Sequence, residues 1–139
     1  MTTASGLDRA PITVPGASLP AGPYSHAVRA GDLLFVSGQA PFDADGRPVG
    51  STFGERARAV FDNLARIAEA AGGELAGCVR IGAFLEDYAN FAEYNEIMRE
   101  YFRPPYPART TVPVPTLGIA IEVDAVIALP PRPIGAGPR

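Results

Sequence analysis

Lysine is absent from this chain of 139 residues, and all 12 of its basic residues are arginine. Schiff-base catalysis and a covalent pyridoxal phosphate site both need the amine of a lysine side chain. The composition therefore excludes both kinds of site, and it leaves arginine as the only side chain with a permanent positive charge.

Cysteine and histidine occur once each, as Cys78 and His26. One cysteine allows no intrachain disulfide, and one cysteine with one histidine cannot build a zinc site within a single chain. A serine–histidine–aspartate arrangement would have to include His26, which has no partner motif nearby. We interpret His26 as a strand-edge residue and Cys78 as a small buried hydrophobic side chain. Catalysis then depends on arginine, acidic, tyrosine, hydroxyl and backbone groups.

Excess positive charge is also missing, because 15 acidic residues outnumber the 12 basic ones and give a net charge of −3. This balance gives no general attraction to nucleic acid or to an anionic membrane, and it disfavours a ribonuclease. The longest apolar runs are too short to span a bilayer, and residues 1–10 lack the pattern of a secretory signal. We expect a cytoplasmic protein without a nucleic-acid or membrane partner.

The length fits one domain with two terminal extensions. Residues 1–20 are rich in Pro, Gly, Ser and Thr, which is typical of a mobile arm or an edge segment. Residues 21–129 carry the folding pattern. Residues 130–139 are rich in Pro and Gly and are predicted to be disordered, because proline excludes both a helix and a central strand.

Periodicity across residues 21–129 predicts an α+β fold with one sheet and two helices packed on the same face. Thr52 and Glu55 have the spacing of a capping box, and Gly72 suits the exit of the first helix. Asn90 is expected to cap the second helix, whose aromatic stripe is expected to pack in the core. The predicted order is strands at 25–29 and 33–37, a helix at 54–71, a strand at 78–86, a helix at 91–102, and strands at 109–112 and 119–126.

The last two strands are joined by residues 115–118, a Pro/Gly connection typical of a β-hairpin. In a hairpin, Arg109 and Glu122 would lie close together on one face. A guanidinium is a planar, two-pronged donor that suits a carboxylate, and a nearby carboxylate can hold or activate a water. The pair suggests hydrolysis of a small carboxylate-bearing molecule, with a cross-strand ion pair as the alternative interpretation.

The sheet face away from the helices is also predicted to be apolar. The run from Leu33 to Val36 is apolar on both sides, and Val126 shares a side with Glu122. Such a face is not expected to stand in water. We therefore predict a closed homo-oligomer in which Arg109 and Glu122 lie near the inter-subunit surface.

Five motifs stand in order between residues 20 and 129: Gly22-Pro23-Tyr24-Ser25, Val36-Ser37-Gly38-Gln39-Ala40-Pro41, Asn90-Phe91-Ala92-Glu93-Tyr94-Asn95, Pro107-Ala108-Arg109-Thr110 and Ile121-Glu122-Val123-Asp124-Ala125. Together they resemble the RidA family, also called YjgF/YER057c/UK114. The resemblance implies a chorismate-mutase-like fold, a homotrimer with inter-subunit clefts, and no metal or organic cofactor. It also implies hydrolytic deamination of reactive 2-imino and enamine acids to 2-keto acids and ammonia, so the expected ligand is a small 2-imino or 2-keto carboxylate.

Carried over to the matching positions, the resemblance implies that Arg109 and Glu122 are catalytic. Arg109 would bind the substrate carboxylate, and Glu122 would position the attacking water. Tyr24 and Gly38 would line the cleft, the glycine because it has no Cβ to hold off a ligand. Asn95 would supply a polar contact or keep the cleft in shape.

Several positions depart from the family pattern. Thr111 stands where a cysteine is frequent, and it would bind substrate through its backbone amide or its hydroxyl. His26 replaces a frequent glutamine, Asp124 replaces a frequent glutamate, and the connection from Arg109 to Glu122 is short. Two alternatives therefore stay open: a non-catalytic trimeric scaffold that binds small carboxylates or acts like a chaperone, and a biosynthetic, pathway-specific member that acts on a larger imine.

Overall fold

A computed structural model describes residues 6–17 and 20–131, and over these residues the predicted α+β architecture is confirmed. Six strands form one sheet, and both α-helices lie within one residue of their predicted bounds. In chain order the elements are β1 (Arg9–Pro11), β2 (Ala27–Ala30), β3 (Leu33–Gln39), α1 (Phe53–Ala70), β4 (Cys78–Leu85), α2 (Phe91–Tyr101), β5 (Ala108–Pro113) and β6 (Ile121–Ala128).

Helix α1 begins and ends at its sequence signals. Oγ1 of Thr52 accepts a hydrogen bond from the N–H of Glu55 at 3.2 Å, and Oε1 of Glu55 accepts one from the N–H of Thr52 at 3.1 Å. After the helix, Gly72 has a φ of +84°, a left-handed conformation that glycine adopts without strain. The N–H of Gly73 then bonds to the carbonyl of Ala68. The predicted capping box and glycine exit are both confirmed.

Helix α2 is not capped by Asn90, contrary to the sequence prediction. Asn90 makes no side-chain cap because it ends a 3-10 turn, Tyr88–Asn90, that runs directly into the helix. The capping side chain is Asp87, which accepts a hydrogen bond from the N–H of Ala89 at 2.9 Å. A residue already inside a helical turn cannot adopt the extended backbone that an N-cap position needs.

The sheet order is β1-β2-β3-β6-β4-β5, so the predicted hairpin of β5 and β6 is wrong. Strand β4 lies between them, parallel to β5 and antiparallel to β6. Helix α2 joins β4 to β5 as a crossover, which is how parallel neighbours are connected. The chain then returns through residues 114–120 and inserts β6 between β3 and β4. A Pro/Gly connection turns the chain but does not decide which strand becomes its neighbour.

Burial alternates along β6 and separates the two faces of the sheet. Its odd-numbered residues from 121 to 127 are buried in the core beneath the helices, whereas Glu122 and Asp124 are half-buried on the other face. That other face carries exposed apolar side chains, since Leu33 is 40% and Phe35 is 46% exposed. The predicted second apolar face is therefore confirmed.

The chain ends contribute to the sheet in part. Residues 9–11, within the segment predicted as a mobile arm or an edge segment, form the edge strand β1 and pair antiparallel with β2. Of the tail predicted to be disordered, residues 132–139 lie outside the described residues. Among the described residues, no helix combines the length and the apolar character that a membrane crossing requires.

Arg29 joins the β2–β3 turn to the segment after β6. Its side chain is 2% exposed, and its Nε donates a hydrogen bond to the carbonyl of Gly31 at 2.8 Å. Its Nη2 donates to Oδ1 of Asp32 at 3.1 Å and to the carbonyl of Pro130 at 3.4 Å. The charge of Arg29 is thus met inside the fold by one carboxylate and two carbonyls.

Candidate functional site

Arg109 lies on the edge strand β5, and its side chain points toward α2. Strand β5 pairs in parallel with β4, and Arg109 stands opposite Ile81, which is buried on the helix-covered face. Nη1 of Arg109 donates a hydrogen bond to Oδ1 of Asn95 at 2.8 Å and lies 3.2 Å from Sδ of Met98. Asn95 and Met98 are three residues apart on α2, so they present their side chains on the same side of the helix.

Two aromatic rings complete the surroundings of this guanidinium. Its Cζ lies 5.4 Å from the ring centroid of Phe91 and 5.3 Å from that of Tyr94, within the range of cation–π attraction. Burial raises the pKa of the Tyr94 phenol well above its usual value, and the charge of Arg109 opposes that rise only in part. No carboxylate of residues 6–17 or 20–131 forms an ion pair with Arg109. Neutral groups therefore hold the guanidinium.

A cavity of about 310 Å³ adjoins this guanidinium, and we call it the Arg109 cavity. Two of its six lining residues, Asn95 and Arg109, are predicted site residues, and Met98 and Tyr106 are among the four that are not. Met98 belongs to the apolar stripe of α2 that the sequence pattern predicts to pack in the core, and it is only 6% exposed, yet its sulfur reaches Arg109. Tyr106 is 51% exposed, and its place directly before the Pro107-Ala108-Arg109 motif was the available signal. The lining residues are Asn95, Met98, Arg99, Tyr106, Pro107 and Arg109.

Glu122 lies on the opposite face of the sheet from Arg109. Ile81 pairs with both Arg109 and Ala125, which puts those three side chains on one face. Glu122 pairs with Phe84 and stands three residues before Ala125 along β6, so its side chain points to the other face. The expectation that Arg109 and Glu122 share one face of a hairpin is therefore wrong.

The side chain of Glu122 lies across Gly38 on the neighbouring strand β3. A Cβ at position 38 would come within 2.7 Å of Oε2 and 2.8 Å of Cδ of Glu122. This glycine therefore makes room for a carboxylate of its own chain, whereas the sequence interpretation reserved that room for a ligand. In the described part of the chain, no donor hydrogen-bonds to the Glu122 carboxylate. Both of its oxygens are left for water or a ligand.

Glu122 borders a second, larger cavity of about 710 Å³, which we call the Glu122 cavity. Tyr24, Gly38 and His26 also line it, so it gathers three of the six predicted site residues: Tyr24, Gly38 and Glu122. Tyr24 is 52% exposed, and its hydroxyl accepts a hydrogen bond from the N–H of Ala21 at 3.3 Å. Much of the remaining wall is apolar and includes Phe42, Ile67 and Ile119.

Thr111 shares a strand and a face with Arg109 but does not line the Arg109 cavity. Its hydroxyl is buried without a hydrogen-bond partner in the described part of the chain. Strand β5 is at the edge of the sheet, so alternate backbone groups along it face away from β4. A role for Thr111 through its backbone amide stays a prediction.

The described residues offer neither an activated cysteine nor a metal site. Cys78 is buried, and burial raises the pKa of its thiol to about 11. A thiol that stays protonated is a poor nucleophile, so the interpretation of Cys78 as a buried hydrophobic residue is confirmed. Across residues 6–17 and 20–131, no group of three or more His, Cys, Asp or Glu is arranged to hold a metal ion.

The chain is similar in sequence and in structure to known proteins. Residues 15–129 match the family model described as Endoribonuclease L-PSP. The chain is 42% identical over 122 residues to the RutC family protein y4sK of Sinorhizobium fredii, covering 86% of this chain and 97% of that protein. It is 31% identical over 121 residues to a 2-iminobutanoate/2-iminopropanoate deaminase of Dermatophagoides farinae, covering 85% and 94%. The crystal structure of E. coli TdcF with bound serine matches with a TM-score of 0.78 at 25% identity, covering 86% and 98%.

Proposed function

Because the chain belongs to the RidA (YjgF) family, whose model spans residues 15–129, we propose that it hydrolyses reactive 2-imino and enamine acids to 2-keto acids and ammonia. The observation that carries the proposal is the Arg109 guanidinium, held by neutral groups and paired with no carboxylate of the described residues. A planar cation in this state suits the carboxylate of a substrate. The deaminase of D. farinae supports the reaction class, and serine bound to TdcF supports a small carboxylate ligand.

We propose further that the working site lies between copies of the chain, in a homotrimer. Arg109 and Glu122 point to opposite faces of one sheet, so a substrate of a few atoms cannot reach both within one chain. A cleft that takes Arg109 from one copy and Glu122 from the next removes this difficulty. The exposed Leu33 and Phe35 favour a partner on the Glu122 face, and a closed ring of three copies would contain three equal clefts.

In the proposed reaction, Arg109 orients the substrate. Two charge-assisted hydrogen bonds to the carboxylate fix the position of the adjacent C=N carbon. Asn95 holds the guanidinium from α2, Tyr24 and Gly38 line the facing wall, and Thr111 offers its backbone amide beside the carboxylate. No metal or organic cofactor takes part.

Glu122 supplies the water in this scheme. One carboxylate oxygen accepts a hydrogen bond from the water and takes its proton as the water oxygen bonds to the C=N carbon. The π electrons move to nitrogen, Glu122 returns the proton to that nitrogen, and a carbinolamine forms. Glu122 then takes the proton of the carbinolamine hydroxyl and passes it to the amine nitrogen as the C–N bond breaks, so imine and water become keto acid and ammonia. The iminium form is already electrophilic, so positioning and a weak base suffice.

Subunit complementation tests both the residues and their place between copies. Arg109→Ala and Glu122→Gln are each expected to lower kcat/KM for ammonia release from freshly generated 2-aminoacrylate by about 100-fold. When the two variants are unfolded, mixed in equal amounts and refolded together, a cleft is intact if one copy supplies Arg109 and the next supplies Glu122. In random assembly, a cleft receives an intact Arg109 from one copy with a probability of about one half and an intact Glu122 from the next copy with the same probability. About a quarter of wild-type activity is therefore expected to return.

The outcomes separate the alternatives. No recovery on mixing, with each variant still folded and trimeric, contradicts a shared cleft. A wild-type protein that binds 2-oxobutanoate but releases no ammonia from 2-aminoacrylate is the non-catalytic scaffold instead. Wild-type and Arg109→Ala proteins that are equally slow contradict the deaminase proposal itself.

A larger imine is the second candidate substrate, and the size of the Glu122 cavity favours it. About 710 Å³ is more than a three- or four-carbon imino acid fills, and apolar side chains form much of the wall. An amino-acid oxidase generates imines from alanine and from phenylalanine for a direct comparison. A kcat/KM at least tenfold higher for the phenylalanine imine would support this candidate, and a preference for the alanine imine would contradict it.

RNA is a rival substrate because the matching family model is described as an endoribonuclease. We expect no cleavage, since the net charge is −3 and single-stranded RNA binding requires a row of cations with aromatic platforms. Degradation of single-stranded RNA by the wild type, lost in Arg109→Ala, would overturn this expectation.

We also propose a cytoplasmic location and no membrane partner.

A further inference from the structure

We infer that Phe91 and Tyr94 are positioning residues for substrate recognition, because their rings hold the Arg109 guanidinium so that one edge of it is presented to a carboxylate. The inference rests on the proposed function in one respect, that Arg109 binds the carboxylate. It assigns a role in binding to two side chains for which the sequence pattern predicts only core packing.

The rings are themselves fixed, which makes them a rigid support. Phe91 stacks on Tyr88 with centroids 4.9 Å apart and an interplanar angle of 21°. Tyr94 stacks on Phe61 of α1 with centroids 6.0 Å apart and an angle of 17°. Arg109 therefore contacts two rings, and each of them packs against one further ring. Through Phe61 the support extends from α2 to α1.

The contacts leave one edge of the guanidinium available. The hydrogen bond to Asn95 and the contact with Met98 both involve Nη1. Nε and Nη2 donate to no acceptor among residues 6–17 and 20–131, and their N–H bonds point in parallel along one edge. This edge matches the two oxygens of a carboxylate.

Aromatic faces serve this purpose better than a carboxylate from the protein. A carboxylate beside Arg109 would take the same two-pronged edge and would neutralise the charge that a substrate needs. A ring face attracts the cation without accepting its in-plane N–H bonds. An arginine that is already ordered also loses less conformational freedom when the ligand binds, which favours affinity.

Ring deletion tests the inference. Phe91→Leu and Tyr94→Leu keep a bulky apolar side chain but remove the π face, and each is expected to raise the Kd for 2-oxobutanoate and the KM about fivefold. The value of kcat is expected to change by less than about twofold, because Arg109 still reaches the carboxylate. Tyr94→Phe restores the ring without the hydroxyl, which is buried and has no partner in the described chain, and is expected to bind like the wild type.

Tyr101→Leu is the matched control on the same helix. Tyr101 packs on Phe61 and bonds to Asp62 but does not contact Arg109. It is expected to change thermal stability while leaving the Kd unchanged. The NMR signal of the Arg109 Nε–Hε group gives a readout independent of activity: loss of either ring is expected to shift it and to speed rotation about the Nε–Cζ bond.

The outcomes distinguish this inference from the proposed function. Unchanged Kd and unchanged Arg109 signals in a folded Phe91→Leu protein would overturn the inference. A wild-type protein that binds 2-oxobutanoate and releases no ammonia would contradict only the deaminase proposal, and the Kd and NMR comparisons would still decide the role of the rings. Failure of the wild type to bind any 2-keto acid would overturn both.

Discussion

Arg29 and Arg109 are two inward-pointing arginines of one chain with opposite kinds of surroundings. Arg29 is 2% exposed and donates to the carboxylate of Asp32 and to the carbonyls of Gly31 and Pro130. Arg109 is half-buried and contacts an amide oxygen, a thioether sulfur and two aromatic rings, with no carboxylate of the described chain as a partner.

The difference lies in charge compensation. A cation that is paired and fully hydrogen-bonded within the fold has nothing left to offer a ligand, and removing it leaves buried acceptors without donors. A cation held only by neutral groups keeps its charge and part of its hydrogen-bonding edge for an external anion. The same contrast holds for two carboxylates, since Asp32 pairs with Arg29 whereas Glu122 lies across Gly38 and forms no ion pair with any described residue.

The strongest test removes the uncompensated arginine. Arg109→Ala is expected to lower kcat/KM for 2-aminoacrylate hydrolysis by about 100-fold, because the substrate loses a two-pronged charged hydrogen bond. Its melting temperature is expected to stay within about 2 °C of the wild type, since no internal ion pair is lost. Arg109→Lys is the control: it keeps the charge without the planar fork and is expected to recover less than about a tenth of the activity.

Arg29→Met is expected to show the reverse behaviour. Methionine fills similar space, but the carbonyls of Gly31 and Pro130 lose their donor, so the free energy of unfolding in urea is expected to fall by about 2 kcal/mol. The kcat/KM of the folded protein is expected to match the wild type. A variant that keeps full stability, or loses activity while folded, would contradict the division of roles between the two arginines.

Sequence reasoning recovered the elements of the fold better than their arrangement. Thr52 and Glu55 locate α1 because a capping box is a local device that adjacent residues complete. The insertion of β6 between β3 and β4 depends on which surfaces fit together across the whole sheet, and no local signal records it. Asn90 failed as a cap because Asp87, three residues earlier, begins the turn first.

The candidate site shows the same limit. The motifs identify Arg109 and Glu122, but the sheet face that each side chain occupies depends on strand pairing and register. The wrong strand neighbour therefore placed the two side chains on the same face. The aromatic stripe of α2 predicts burial correctly for Tyr94, whereas its contact with Arg109 requires β5 to lie beside α2. The motif predicts Gly38 as a site residue, yet the space left by its missing Cβ is occupied by the side chain of Glu122.

Gly38→Ala extends the comparison to the uncompensated carboxylate. The new Cβ would lie 2.7 Å from Oε2 of Glu122, so the carboxylate must move. Displacing the carboxylate that we propose holds the attacking water is expected to lower kcat about tenfold. Gly82→Ala is the matched control, since its Cβ would meet Oδ1 of Asp124 on the same face, and it is expected to leave kcat within about twofold. Equal losses in the two variants would show a general disturbance of the sheet.

Asp32→Asn gives the smallest expected effect and decides what holds the compensated arginine. Asp32 is 53% exposed, so the ion pair is screened by solvent and is expected to contribute less than about 0.5 kcal/mol to the free energy of unfolding. Arg29 keeps two carbonyl acceptors in this variant, and the asparagine amide oxygen can replace the carboxylate oxygen. Urea unfolding at low and high salt measures the loss. A loss as large as that of Arg29→Met, and confined to low salt, would mean that charge pairing rather than carbonyl bonding secures Arg29, and the contrast with Arg109 would then be purely electrostatic.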